Sequence, residues 1–134
     1  MPTQSEIAAF LVAEFPQIHC TVEAVGNAGA TVRHCVGLDE LRPGGTVSGP
    51  VMMTVADLAL YVAILGEIGI VPLTVTTSLS INFLRKPSAS SDIIGVCKLI
   101  KLGKSLAVGE VNIFSEGDPQ PVAHAVGTYA IPRR

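Results

Sequence analysis

The sequence predicts an α+β layer fold in which a curved antiparallel sheet wraps around one long central helix, and three observations carry that prediction. Residues 51–65 form a run that is apolar on every side except at Asp57, the mark of a helix buried on all faces. Val75, Thr77, Leu79, Ile81 and Phe83 alternate with Thr76, Ser78, Ser80 and Asn82, the period of a strand with one buried face. Three more extended segments follow at about 91–102, 105–115 and 121–131, with Gly103-Lys104 and Gly117-Asp118-Pro119 as turns, so the second half reads as an antiparallel meander of four strands. Strands joined by hairpins give an antiparallel sheet, and an all-apolar helix must be covered by it on most sides.

The remaining elements follow in order. Ile7, Ala8, Phe10, Leu11 and Phe15 recur at helical spacing before Pro16, which predicts a short amphipathic helix with half a capping signal in Ser5 and Ala8. From about Thr21 to Leu38 a valine-rich pattern is broken by Gly26-Asn27-Ala28-Gly29, residue types that suit a turn between two extended pieces or within one long strand. Leu41 to Gly49 is turn-rich, and Pro50 suits the first helical position because its missing N–H is not needed there. The central helix is therefore expected over about 50–66, with Ser48 as its N-cap and Gly69 and Pro72 as its exit.

Length and composition bound the function. A chain of 134 residues, 49% hydrophobic, has enough material for one domain spanning 1–134 and too little for two. With 15% charged residues and a formal net charge of −2, nothing favours nucleic acid, since the basic residues form short local groups and no stripe. So little polar surface favours burial against a second copy, and a homo-oligomer is expected. Cys20, Cys35 and Cys97 are widely spaced and form no metal-like cluster with His19, His34 or His124, so they read as free thiols in a reducing compartment. The start lacks a basic leader region, and residues 51–65 fall short of the roughly 20 a bilayer needs. A cytoplasmic protein with no membrane association is the expectation.

Asp57 is the only acidic or basic side chain between Arg42 and Glu67. A carboxylate in such surroundings is retained where it is paired, hydrated or used, which makes it the first catalytic candidate. The bland alternative is a structural aspartate bonded to a loop or to a strand hydroxyl, with Thr76, Thr77 and Ser80 as the available donors. Tyr61, one turn beyond Asp57, fills the core or lines a pocket.

Three segments, taken together, resemble the hotdog-fold thioesterases, specifically the PaaI-like acyl-CoA thioesterase group, over nearly the whole chain. Gly45-Thr46-Val47-Ser48-Gly49-Pro50 with Ala56-Asp57 is similar to the family's G-x-x-H-G-G loop followed by an acidic residue on the central helix. Leu79 to Pro87 is similar to a family strand that ends in proline, and Lys101-Leu102-Gly103-Lys104-Ser105 to a K-x-G-[KR] turn, with Thr128-Tyr129 in the last strand. Ser48-Gly49-Pro50 stands where the family most often has His-Gly-Gly, and Arg42 where it usually has Asn.

The resemblance implies a hotdog fold, hydrolysis of an acyl-CoA, no cofactor beyond the coenzyme A of the substrate, and an active site at a dimer interface; a homodimer is expected, and a dimer of dimers stays open beside it. It gives Asp57 the role of general base or nucleophile, with the Gly49 N–H as oxyanion donor and the Val51 N–H as the candidate second donor. Substrate contacts would come from Ser48, Arg42, Thr76, Thr77, Ser80 and Tyr61, and coenzyme A contacts from Arg85, Lys86, Gly103, Lys104 and Ser105. Gly49 and Asp57 lie eight residues apart, about 12 Å along one helix. A single carbonyl can therefore meet both only if they come from different subunits. A hydratase on the same fold would need a His near the helix, and none lies between His34 and His124. A non-catalytic acyl-CoA or acyl-lipid binding protein is the reading from a different class.

Overall fold

The structure, a computed structural model, describes residues 2–16, 19–35, 41–42, 46–88 and 90–133. Helix α1 (Gln4–Glu14) leads to the hairpin β1 (Cys20–Gly26) and β2 (Gly29–His34). The two-residue strands β3 (Leu41–Arg42) and β4 (Thr46–Val47) precede α2 (Gly49–Ile68), followed by β5 (Val75–Phe83), β6 (Ile93–Leu102), β7 (Leu106–Ser115) and β8 (Ala123–Ala130). Six strands form one antiparallel sheet in the order β1-β2-β6-β7-β8-β5, and α2 packs on its inner face.

Local chemistry accounts for the element ends. The N-cap of α1 is Thr3, two residues before the Ser5 signal: its hydroxyl accepts from the Glu6 N–H at 3.1 Å while Glu6 accepts from the Thr3 N–H at 3.0 Å. The reciprocal acid sits three residues after Thr3, at Glu6, whereas the residue three after Ser5 is Ala8, so the full capping box belongs to Thr3. The break at residues 26–29 is a two-residue hairpin turn, with Asn27 and Ala28 both left-handed at φ 53° and 58°. Glu67 closes this turn by accepting from the Ala28 N–H at 3.1 Å, which explains an acid in the last turn of a helix. Helix α2 is capped by Ser48 as expected but begins at Gly49, one residue before Pro50, and continues to Ile68.

Helix α2 has the length and apolarity of a membrane span, yet most of it is covered by the chain's own sheet, with twelve of its residues buried. Each fully buried branched aliphatic side chain contributes about 1.5–3 kcal/mol. Close approach depends on glycines that face the helix. Gly109 and Gly127 are directly paired across β7 and β8. A Cβ on either would meet the Leu60 side chain, at 2.7 Å and 2.5 Å. Leu60 thus sits in a notch that any larger residue would fill.

Two expectations about the second half need correction. The last four strands are not one meander: β6, β7 and β8 are consecutive neighbours, but β5 lies beyond β8 at the sheet edge, and β6 pairs with β2 instead. Nor does β5 have one fully buried face. It extends past the helix, so only Leu79 and Ile81 are half-buried, while Val75 and Phe83 are 53% and 51% exposed. Among the described residues its outer edge has no strand partner.

Candidate functional site

Asp57 lies on the half-covered side of α2, facing the junction of β5 and β8. Its Oδ1 accepts from the Thr76 hydroxyl at 2.6 Å and from the Tyr129 hydroxyl at 2.5 Å, and the same Tyr129 oxygen is 2.7 Å from the Asp57 main-chain oxygen. No hydrogen bond is made to Oδ2 among the described residues. One carboxylate oxygen is anchored by two donors, and the other has no hydrogen-bond partner among the described residues.

Strand register explains why Thr76 is the donor. Strict alternation would place Thr77 with Leu79, Ile81 and Phe83 on the inner face. A bulge between Thr76 and Ser78 resets the register, so Thr76 stands directly opposite Tyr129. The Thr77 hydroxyl instead donates to the Thr128 carbonyl at 3.2 Å, and Ser80 is exposed along the strand. Of the three expected donors, the structure brings only Thr76 to Asp57.

Tyr129, which the sequence marks only as part of the last strand, is a donor to Asp57. It is 2% exposed, and its hydroxyl titrates well above the ordinary tyrosine range, through burial first and then the charge and hydrogen bond of Asp57. A signal was available: Ala123, Ala125 and Tyr129 share the inner face of β8, and a tyrosine there requires a partner for its hydroxyl.

Asp57, Thr76 and Tyr129 border a cavity of about 350 Å³ that continues to Tyr61, Phe15 and Pro72. Tyr61 serves both roles expected for it, since it is buried and lines this cavity; its hydroxyl donates to the Pro72 carbonyl at 3.1 Å. Thr74 also borders the cavity, with a buried hydroxyl that has no partner among the described residues.

Among the described residues, the start of α2 leaves one backbone N–H without a partner, that of Gly49. Ser48 is occupied as the cap, its hydroxyl accepting from the Val51 N–H at 3.4 Å, and its carbonyl accepts from Met52 at 3.4 Å. Pro50 has no N–H, so the Gly49 N–H is left at the positive end of the helix, and Val51 is not available as a second donor. A Cβ on Gly49 would lie 3.2 Å from the Phe83 ring. Gly49 therefore sits at the Phe83 end of β5 and Asp57 at the Thr76 end.

The expected coenzyme A residues are not gathered within one chain. Arg85 and Lys86 follow the Phe83 end of β5, where Arg85 donates to Gln120 at 2.6 Å. Gly103, Lys104 and Ser105 form the β6–β7 turn beside Leu106, which pairs with Ala130, the partner of Val75 at the other end. Hairpin geometry separates the two groups by the length of the sheet, roughly 25 Å. Arg42 is on β3, and its side chain, like the loop 43–45, is outside the described residues.

The sheet wrapped on one helix, with an acid on that helix and an open glycine N–H at its start, defines a thioesterase-type hotdog protein. The chain belongs to the thioesterase superfamily, whose sequence model matches residues 44–122. A crystal structure from Silicibacter sp., of a protein assigned to the thioesterases, is 42% identical, covers 98% of this chain and 92% of its own, and superposes with a TM-score of 0.91. A mutant of the phenylacetic acid degradation protein PaaI from Thermus thermophilus shares the fold at 23% identity, with coverage of 92% and 99% and a TM-score of 0.75. A hypothetical thioesterase from Streptococcus pneumoniae, solved with coenzyme A, shares it at 19% identity, with coverage of 86% and 87% and a TM-score of 0.76. No curated protein sequence matches the chain.

Proposed function

We propose that the protein is a cytoplasmic acyl-CoA thioesterase that works as a homodimer, with each active site built from Asp57 of one subunit and the Gly49 N–H of the other. One observation carries this reading: the carboxylate and the Gly49 N–H lie at opposite ends of an edge strand that, among the described residues, has no outer partner. Antiparallel pairing of two β5 edges about a twofold axis would set the Phe83 end of one subunit beside the Thr76 end of its partner. The same operation carries Arg85 and Lys86 toward the other subunit's Gly103 to Ser105 turn, supplying cations for the phosphates of coenzyme A.

In this arrangement the thioester carbonyl accepts from the Gly49 N–H. Asp57 either removes a proton from an attacking water or attacks the carbonyl carbon itself, forming an acyl anhydride that water then opens. In the first route the tetrahedral intermediate expels the coenzyme A thiolate, which recovers its proton from Asp57. The glycine lets the thioester approach closely, and the helix dipole favours the developing negative oxygen.

The test is release of free thiol from a series of acyl-CoAs by wild type and by Asp57→Ala. Loss of about a hundredfold or more in kcat for the variant is expected, the scale of general-base catalysis. Binding of acyl-CoA without thiol release by wild type would instead assign the fold to ligand binding, a reading to which the Ser48-Gly49-Pro50 loop lends itself.

A further inference from the structure

Strand pairing sets a thiol beside an imidazole at the open end of the first hairpin. Cys20 and His34 stand opposite each other across β1 and β2, so their side chains leave the same face of the sheet. Cys20 Sγ lies 3.3 Å from His34 Nδ1, within hydrogen-bond reach for sulfur, and the histidine is only 4% exposed. Cys20 and Val22 share the face of β1 that α1 covers, and Gln4 at the start of that helix donates to the Val22 carbonyl at 2.7 Å. Between α1 and β1 runs a groove of about 230 Å³ with Cys20 in its wall. Ala8, Leu11, Val12, Phe15 and Val22 make most of the remaining wall apolar, and no charged side chain lines it. Val12 is 73% exposed, so the groove is an apolar trough open to solvent.

We infer that Cys20 is an acylation site: it takes a fatty acyl group from an acyl-CoA, and the chain lies in the trough between α1 and β1. The step exchanges one thioester for another. His34 Nδ1 takes the thiol proton, and the Cys20 sulfur attacks the thioester carbonyl carbon. The tetrahedral intermediate then breaks its bond to the coenzyme A sulfur, and the departing thiolate recovers the proton from His34. Acyl-CoA and thiol become S-acyl-Cys20 and coenzyme A, with no redox change. The other two cysteines lack this setting. Cys97 is buried, its thiol pushed up to about 12 by burial and then by the charge of Glu110, while Cys35 is exposed beside Asp92 and borders neither cavity. A trough without charged walls suits a hydrocarbon chain and not a charged thiol reagent such as glutathione disulfide. The inference stands apart from Asp57 and does not rest on the hydrolytic reading.

Intact-mass spectrometry of the full chain tests it, after incubation with octanoyl-CoA or acetyl-CoA. Wild type and Asp57→Ala are both used, so that turnover at that carboxylate does not deplete the donor in one arm. One octanoyl group is expected, removable by neutral hydroxylamine, mapped to Cys20 by proteolysis, lost in Cys20→Ser and kept in Cys35→Ser. Each buried methylene is worth about fourfold, so octanoyl transfer should exceed acetyl transfer by roughly tenfold or more, and Val12→Asp should remove that preference. His34→Gln should slow transfer about a hundredfold. Where that variant does not fold, Val12→Asp, made at an exposed position, carries the comparison. Labelling of Cys35 ahead of Cys20, equal transfer from the two donors, a folded His34→Gln with an unchanged rate, or no octanoylated chain overturns the inference. Absence of thiol release beyond one equivalent from every acyl-CoA overturns the hydrolytic reading alone, because the mass reads the acyl group on the protein.

Discussion

Replacing Tyr129 by Phe removes one hydroxyl and keeps the ring, which packs 6.3 Å from Tyr61. The lost bond is the 2.5 Å donation to Asp57 Oδ1. A hydrogen bond to a charged group contributes about 1.5–3 kcal/mol. Asp57 is half-buried and keeps the 2.6 Å donor Thr76, so the low end applies, at about 1–2 kcal/mol. For a chain of 134 residues that lowers the thermal midpoint by roughly 3–8 °C. The carboxylate also loses one of the two donors that fix Oδ1 and leave Oδ2 free, and on the thioesterase reading this costs roughly tenfold in kcat with KM within about twofold. Burial and the adjacent negative charge keep the Tyr129 hydroxyl protonated across the neutral range, so the ratio of mutant to wild-type kcat should not vary between about pH 6 and 9. Steady-state thiol release and a thermal melt on the same preparation test both parts. A kcat equal to wild type beside the expected loss of midpoint would refute the positioning role and leave Tyr129 a purely structural residue.

Two further outcomes follow from buried and strained groups. Burial, aided by the charge of Glu110, pushes the Cys97 thiol up to about 12 from its ordinary 9.0. A raised pKa gives stability that is complete below the unfolded value and lost as pH climbs toward the folded one. The thermal midpoint should therefore hold through neutrality and fall above about pH 9, with Tyr129 adding to the fall above about pH 10; Cys97→Ala should flatten the first part of that slope, and a midpoint unchanged to pH 11 would contradict this. Ala28→Gly relieves a side chain held at φ 58° while keeping the N–H that Glu67 accepts from. It should raise stability by about 1 kcal/mol, seen as an upward shift in urea midpoint, and no rise would mean the turn carries no strain.

Sequence periodicity made the architecture legible because each element's pattern is local. The apolar run after Ser48, the alternation from Val75 and the turns at Gly103 and Gly117 all fall where the structure has them. Strand order was less accessible, since whether β5 pairs with β6 or with β8 is decided by non-local contacts that no window of sequence contains. At the site, Asp57 stood out because a charge in an apolar helix is costly wherever it occurs. Thr76 could be narrowed only to three hydroxyl residues, because a one-residue bulge exchanges the faces of a strand. Tyr129 is 72 residues from Asp57 in sequence and is joined to it by register alone.

The glycine notch under Leu60 also acts as a depth gauge for the carboxylate. Asp57 precedes Leu60 by three residues, less than one turn of the same rigid helix. How far Leu60 descends between Gly109 and Gly127 therefore sets how near Asp57 comes to Tyr129, whose ring rises from β8 two residues beyond Gly127. A methyl group added at the floor of the core would lift the whole lever by a fraction of an ångström. Glycines that touch no substrate are in this sense part of the tolerances of the site, and the sheet is a gauge block as much as a wall.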